Sequence, residues 1–579
     1  MLNARKILGS FCVLSCALLL DGCAPHPNDP MPPARFTPVP CEFTHAWDRT
    51  KHPFTGAAVI DIDGDGKLEI FVGGGQGQSD VLLSYRDGRL IDIIESTGLS
   101  SNTATYGATA IDMDADADTD LFVARDDGVY LYLNQAGRFQ EQRIEVDLPE
   151  HSVPFSVAVS DIDHDGDGDL YISAFVAFSS FRSATYNDPE HAKTNRMLLN
   201  NGDLTFTDIT RQSGTASKQN TFFSVFVDLD SDGWQDLVVA QNTGEVEIFR
   251  NLGDRTFEPI ATHTGLGFWM GVAIGDVDND GDQDLFFTNV GDSIPQLLTQ
   301  GDLHPGQTNT HQWRLLRNDG DFHLTDVTEA YGLAGEGFAW GAVFEDLNLD
   351  GQLDLFVAQN YIKWPLHHLF KLSGRTYLQQ TGDGARGFHH ESSLGMANEN
   401  FGQSPLIVDI DDDGRQDLVW INMDGPVRAF LNTSSGNYVT VVVPDTVAAL
   451  GSRVSIETAQ GKSYSRVVVA GAGMLTDQTP ELTFGLGELD HVLSVTIERP
   501  NGESEVILAP PVNRKLVLPW PASVQAGKPK AGRLPRGLHH LLGVDECEPE
   551  RFGVLLDGDA RCRLAYDRNR NLVLGPEAQ

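Results

Sequence analysis

Cysteine is scarce in this chain. Its 579 residues include six, and two of them, Cys12 and Cys16, lie in an apolar N-terminal run. That density excludes a disulfide-stapled scaffold. Basic residues are also few: 41 Lys and Arg stand against 82 Asp and Glu, for a net charge of −41. So acidic a chain repels phosphate, which excludes nucleic acid as an expected partner. Beyond the N-terminus no stretch reaches the roughly 18 consecutive apolar residues of a membrane-spanning helix. Catalytic signatures are missing too. Neither Gly-x-Ser-x-Gly nor His-Glu-x-x-His occurs, and Gly461-Lys462-Ser463 has Ile456 where a phosphate-binding loop needs glycine. His367-His368 and His389-His390 are adjacent pairs that point apart in an extended chain, so they make poor joint metal ligands. Cys and His do not recur at zinc-ligand spacing. From these absences no enzyme is expected.

The N-terminus reads as an export signal. Arg5 and Lys6 precede an apolar run over residues 7–20, too short to span a bilayer. Leu20-Asp21-Gly22-Cys23 resembles a bacterial lipobox, which implies a signal over 1–22 and a lipid on Cys23. Contact with a membrane is expected only through that lipid. The proline-rich stretch 23–40 reads as a tether. Of the remaining cysteines, Cys547 and Cys562 are either a disulfide closing a short loop or two free thiols.

What the chain has in abundance is one acidic loop. Asp61-Ile62-Asp63-Gly64-Asp65-Gly66-Lys67-Leu68-Glu69 is the first copy, and the frame restarts at Asp112, Asp161, Asp228, Asp276, Asp346 and Asp409. The seven nine-residue loops hold 31 acids against Lys67 and Arg415, so they carry −29 of the −41. Charge packed that tightly repels itself unless a cation sits inside it. Alternate carboxylates at positions 1, 3 and 5 can converge, glycine suits the sharp turn at position 6, and the acid at position 9 can close an oxygen shell. The spacing points to calcium, at up to seven sites. The candidate ligands are Asp61, Asp63, Asp65 and Glu69; Asp112, Asp114, Asp116 and Asp120; Asp161, Asp163, Asp165 and Asp169; Asp228, Asp230, Asp232 and Asp236; Asp276, Asp278, Asp280 and Asp284; Asp346, Asn348, Asp350 and Asp354; and Asp409, Asp411, Asp413 and Asp417. The second loop, with Ala117 in place of glycine, and the sixth, with Asn348 at position 3, are expected to bind most weakly.

Position 12 is apolar in every copy, so these are not EF-hand loops. Each joins two short β-like runs, such as Ala57-Ala58-Val59-Ile60 and Leu68-Glu69-Ile70-Phe71-Val72. Further strands with Asn/Gly turns follow, as in Leu198-Leu199-Asn200-Asn201-Gly202. Four strands per unit, seven times over, predict an all-β, seven-bladed β-propeller across 41–435. The last unit lacks its fourth strand, and residues 42–46 are expected to supply it and lock the ring.

The loops and their flanks, Phe54-Thr55-Gly56-Ala57 and Trp340-Gly341-Ala342, resemble FG-GAP/VCBS repeats, as in integrin α-chain propellers. Residues 436–518 follow with Leu450-Gly451-Ser452-Arg453-Val454, Ala470-Gly471-Ala472-Gly473-Met474-Leu475, Leu482-Thr483-Phe484-Gly485-Leu486-Gly487 and Arg499-Pro500-Asn501-Gly502. They resemble the ASPIC/UnbV domain of the cartilage acidic protein family, here expected to be a small β-rich module. Residues 519–537 read as a linker; 538–579 are an unassigned tail. Long insertions at 175–196, 289–313 and 359–402 carry Phe181, Tyr186, His311, Trp313, Tyr361, Trp364 and His389, a candidate ligand face on one rim. The resulting expectation is an exported, lipid-anchored protein of the bacterial envelope that binds a protein or a glycan, with calcium structural. The alternatives are a polysaccharide lyase using His311 or His389, and an envelope scaffold.

Overall fold

The computed structural model describes residues 35–217, 219–359, 372–382, 385–517, 565–566 and 572–573. Cys23, Tyr361, Trp364, Cys547 and Cys562 lie outside them, as do the export signal and the linker.

Among the described residues are seven sheets built on four antiparallel strands in chain order, save that the last takes its fourth strand from the N-terminus; the first and fourth each carry one further strand. The second is representative: Thr105–Ile111, Asp120–Arg125, Gly128–Asn134 and Phe139–Ile144. Its acidic loop joins the first two strands. Those strands are buried along their whole length, not on alternate residues, because a neighbouring sheet covers each face. The fold is therefore propeller-like.

Glycine sets how closely the innermost strands approach. A Cβ on Gly56 would lie 2.4 Å from the backbone carbon of Gly107, and one on Gly107 2.1 Å from the Phe155 carbonyl oxygen. Gly271 stands in the same relation to Trp340, at 2.6 Å. Any side chain here would push two sheets apart.

The last and first sheets meet. The Thr55 amide donates to Gln403 Oε1 (2.8 Å), and Gln403 Nε2 donates to the Thr55 carbonyl (2.6 Å). The missing fourth strand comes from the N-terminus, but it is Phe36–Val39, paired antiparallel with Arg428–Asn432. It is not residues 42–46, and it lies inside the stretch read as a tether. Pro38 is tolerated because this is an edge strand, where a missing N–H faces solvent. Thr44–His45 instead pairs with Gly425–Pro426 in a two-stranded ribbon.

The C-terminal module packs two sheets face to face. One holds Glu481–Gly487, Asn437–Val442 and Arg514–Val517; the other Ser463–Val467, Arg453–Thr458, Val492–Glu498 and Ser504–Leu508. The module and the ring share a core. Val439, Val454, Phe484 and Val495 cluster with Ile111, Leu131, Val157 and Ile172 of the second and third sheets.

One loop of the module, residues 470–478, enters the axis of the ring. Thr476–Asp477 adds to the first sheet as a parallel strand beside Ala57–Ala58. Gly473 and Val272 exchange backbone hydrogen bonds at 2.9 and 3.0 Å, and the Ala110 amide donates to Asp477 Oδ2 (2.7 Å). Met474 is fully buried between them. On the other side Phe54, Phe155, Phe222 and Trp340 meet edge to face across the axis, with Phe54 and Trp340 centroids 5.3 Å apart. The axis is filled from both ends.

Candidate metal centre

The acidic loops share one backbone frame. In all seven, the amide at position 6 donates to the carboxylate at position 1, as in Gly66 to Asp61 and Gly414 to Asp409. The amide at position 7 donates to the residue at position 5. Positions 4 and 6 are left-handed in every copy. Glycine meets that demand without strain, and Ala117, at φ 73°, does not. Ala117→Gly is therefore expected to stabilise the second loop by up to about 1 kcal/mol. A calcium titration of the variant checks this: tighter binding is expected, and an unchanged isotherm would contradict it.

In five of the loops three of the four sequence-predicted ligands converge, without Glu69, Asp116, Asp165, Asp232 and Asp280. Carboxylate oxygens of Asp61, Asp63 and Asp65 lie within 4.8 Å of one another. So do those of Asp112, Asp114 and Asp120, and the same positions of the loops from Asp161, Asp228 and Asp276. The acid at position 9 belongs to the cluster in the second to fifth loops. In the first, Glu69 accepts from Ser84 Oγ (3.1 Å), and the exposed Asp65 takes part instead.

Several of these oxygens are buried with no hydrogen-bond partner: Asp163 Oδ1, Asp228 Oδ1, Asp230 Oδ1, Asp278 Oδ1, Asp354 Oδ2 and Asp411 Oδ1. A buried, unpartnered carboxylate oxygen costs several kcal/mol unless a cation meets it. The donor set, hard oxygen throughout, fits a divalent cation of the calcium type. Burial, with neighbouring carboxylates adding to it, pushes Asp120, Asp169, Asp236 and Asp284 up to about 8. Such groups hold a proton at neutral pH unless a cation displaces it.

Two features escaped the sequence. The first is a set of cations outside the loops. Arg250 meets Asp230 at 2.6 Å, Arg255 of the fourth sheet pairs with Asp163, and Arg317 faces Asp278 at 3.9 Å. Lys515 of the module reaches Asp409, Asp412 and Glu481, each at 2.8 Å. The loops are thus less uncompensated than the count of Lys67 and Arg415 implies.

The second is a side-chain amide on the third strand of five sheets that ties a loop to its neighbour. The Asn318 amide donates to Asp284 at position 9 (2.8 Å), and its Nδ2 donates to the Leu229 carbonyl in the preceding loop (2.7 Å). Asn134, Asn251, Gln379 and Asn432 make the same link to Ile162 or its counterparts Ile62, Val277 and Leu347. Asn200 does not, donating to Gly168 of its own loop. In the sequence these residues look like turn formers. Their distance from position 9 varies, from 14 residues at Asn134 to 34 at Asn318, and the available signal was instead an Asn closing the third β-like run, as at Asn134, Asn200, Asn251, Asn318 and Asn432. Asn318→Ala leaves a buried carbonyl unpaired and is expected to cost about 1–3 kcal/mol in denaturant melts; a loss under about 0.5 kcal/mol would contradict the link.

The candidate ligand face is only partly exposed. Tyr186 and Trp313 are buried, contrary to expectation. The Tyr186 hydroxyl donates to the Thr299 carbonyl (2.8 Å), so the 175–196 and 289–313 insertions pack on each other. Trp313 stands edge-on to Phe286, centroids 5.6 Å apart, in the core between the fifth and sixth sheets. Phe181 is half-buried against Phe175. His311 is buried too, with Nε2 2.6 Å from Thr299 Oγ1, while His389 is exposed.

Comparison with known proteins agrees with this geometry. Residues 61–123, 112–172 and 228–287 match the family described as FG-GAP-like repeat, and 444–525 match ASPIC and UnbV. The chain carries FG-GAP-like repeats and an ASPIC and UnbV domain. It is similar to cartilage acidic protein 1 of Homo sapiens, 26% identical over 77% of this chain and 69% of that protein. It is also similar to the Mus musculus protein, 25% identical over 89% and 83%. Among solved structures, the extracellular domain of a putative hybrid two-component system from B. thetaiotaomicron aligns at 10% identity with a TM-score of 0.38, over 82% of this chain and 54% of that one. The FG-GAP-like loops thus coincide with the acidic clusters, and the UnbV domain with the module that enters the ring. No helix among the described residues is long and apolar enough to cross a membrane.

Proposed function

We propose that this chain is a calcium-loaded, exported binding protein whose ligand is a protein or a glycan. Calcium is structural: it neutralises the FG-GAP-like loops and fixes the hairpins that carry them. The observation that carries the reading is the set of buried, unpartnered carboxylate oxygens aimed into those loops. The side of the ring away from the UnbV module offers the free surface, where Leu297 and Leu298 stand exposed on the 289–313 insertion. A lipid on Cys23 would hold the protein at a bacterial membrane. The reading favours a binder over an enzyme because rings and Met474 fill the axis.

The test is capture by the immobilised full chain of glycans from an array and of proteins from an extracellular panel. It is run at about 1 mM calcium, near the weakest extracellular-type affinities, and again in EDTA. Saturable capture that EDTA abolishes and Leu297→Ser with Leu298→Ser weakens is expected. Turnover of a uronic-acid polymer, lost in His389→Ala, would overturn the reading in favour of a lyase.

A further inference from the structure

The seven acidic loops differ sharply in exposure. In the first, residues 63–67 are all open to solvent. The sixth lies beneath the UnbV module. Asp346 and Asp354 have almost no exposed surface, at 1% and 0%. The module builds the wall directly. The Gly485 amide donates to Asp346 Oδ2 (3.0 Å), and the Gly487 amide donates to the Leu349 carbonyl (2.7 Å). A Cβ on Gly485 would fall 2.1 Å from that same Asp346 oxygen, so only glycine allows the approach.

Leu349 is a second, independent sign that this loop is a docking element. It occupies position 4, which is Gly64, Ala115, His164, Ser231, Asn279 and Asp412 in the other copies. Alone among them it is large and apolar. It is left-handed, at φ 62°, and fully buried against the module. That conformation costs a leucine about 1–2 kcal/mol, which burial of its side chain offsets.

The enclosed charge is unbalanced. Asp346, Asp350 and Asp354 lie together with Glu345 beside them, and Arg466 and Lys462 of the module are the near cations. Asp354 Oδ2 is buried with no hydrogen-bond partner. Buried carboxylates in that number need a positive charge among them. Asn348, whose Oδ1 accepts from the Asp350 amide (3.0 Å) and whose Nδ2 donates to Asp350 Oδ2 (3.1 Å), would offer an oxygen without adding a further charge, which suits a closed site better than an open one.

We infer that the sixth loop is an interdomain clamp: a divalent cation held by Asp346, Asn348, Asp350 and Asp354 and the seating of the UnbV module on the ring each strengthen the other. The inference rests on the calcium reading above; the coupling to the module is what it adds. By linkage the effect is reciprocal, so removing the ion loosens the module and unseating the module weakens the site.

Hydrogen exchange on the full chain tests it in both directions. Calcium removal, or Asp354→Asn in calcium, is expected to speed exchange of Glu481–Gly487 and Ser463–Val467 by about tenfold or more. The first loop's strands should change little in Asp354→Asn. Conversely, Gly485→Ala is expected to lower the calcium stoichiometry by one in a calorimetric titration. Because the Cβ of Gly485→Ala also meets the Leu349 backbone at 2.4 Å and so strains the module itself, the Asp354→Asn exchange pattern stands as the separate check. Unchanged exchange in both module segments, in a chain that still binds calcium elsewhere, overturns the clamp alone. A wild-type chain that binds no calcium at all overturns the calcium reading with it.

Discussion

Met474→Asp is expected to release the UnbV module from the ring and to leave a chain that melts far below the wild type. Met474 is fully buried among the inner strands, its amide donates to Ser404 Oγ (3.2 Å), and its carbonyl faces Gln403 Nε2 (3.4 Å). Truncation to alanine would cost about 2–5 kcal/mol from lost contacts and the cavity left behind. A carboxylate in the same place adds the penalty of an unpaired buried charge. Met474→Leu, which conserves volume, should cost less than about 1.5 kcal/mol. Thermal melts of the three variants decide the matter. Equal melting points for Met474→Asp and wild type would mean that the axial loop contributes nothing to the ring.

The ion-stripped protein is expected to lose stability as pH rises, opposite to the usual behaviour of an acidic protein leaving acid. Asp120, Asp169, Asp236 and Asp284 titrate at about 8 in the folded chain, against an ordinary value of 3.8. Between those limits the folded state holds protons that the unfolded state has released. Stability then falls with pH, because it rises only where the unfolded state binds more protons. Calcium replaces those protons, so the slope should flatten in its presence. Each ion bound near pH 6 should release protons into a weakly buffered solution. Melts in EDTA from pH 5 to 8 check the sign, and a melting point that climbs with pH would contradict the carboxylate clusters.

Much of this was legible in the residues. Seven copies of one loop gave the acid ligands, the hairpins beside them and the repeat architecture, because a metal loop fixes residue types at fixed offsets. The ring's closing strand was misplaced by a few residues. Phe36-Thr37-Pro38-Val39 sits among prolines and reads as a tether, and only its pairing with Arg428–Asn432 marks it as an edge strand. The aromatic insertions were misjudged for a different reason. Tyr186 and Trp313 lie in long loops, but those loops are near one another in space and bury their own rings. Asn318 and its counterparts looked like turn residues, since their second partner is some ninety positions away in sequence, as Leu229 is from Asn318. The docking of the module was invisible for the same reason: Gly485 and Asp346 are 139 residues apart.

The most direct measurement is a thermal melt of residues 36–579, stripped with EDTA and then titrated with calcium or magnesium. Sites with dissociation constants near 0.1–1 mM each contribute about 1.4 kcal/mol at tenfold excess. Several loops filling together should raise the melting point by many degrees, and calcium should do so at lower concentration than magnesium. A melting point that neither ion moves would mean that the loops are acidic turns, and the calcium-supported binding protein would have to be abandoned.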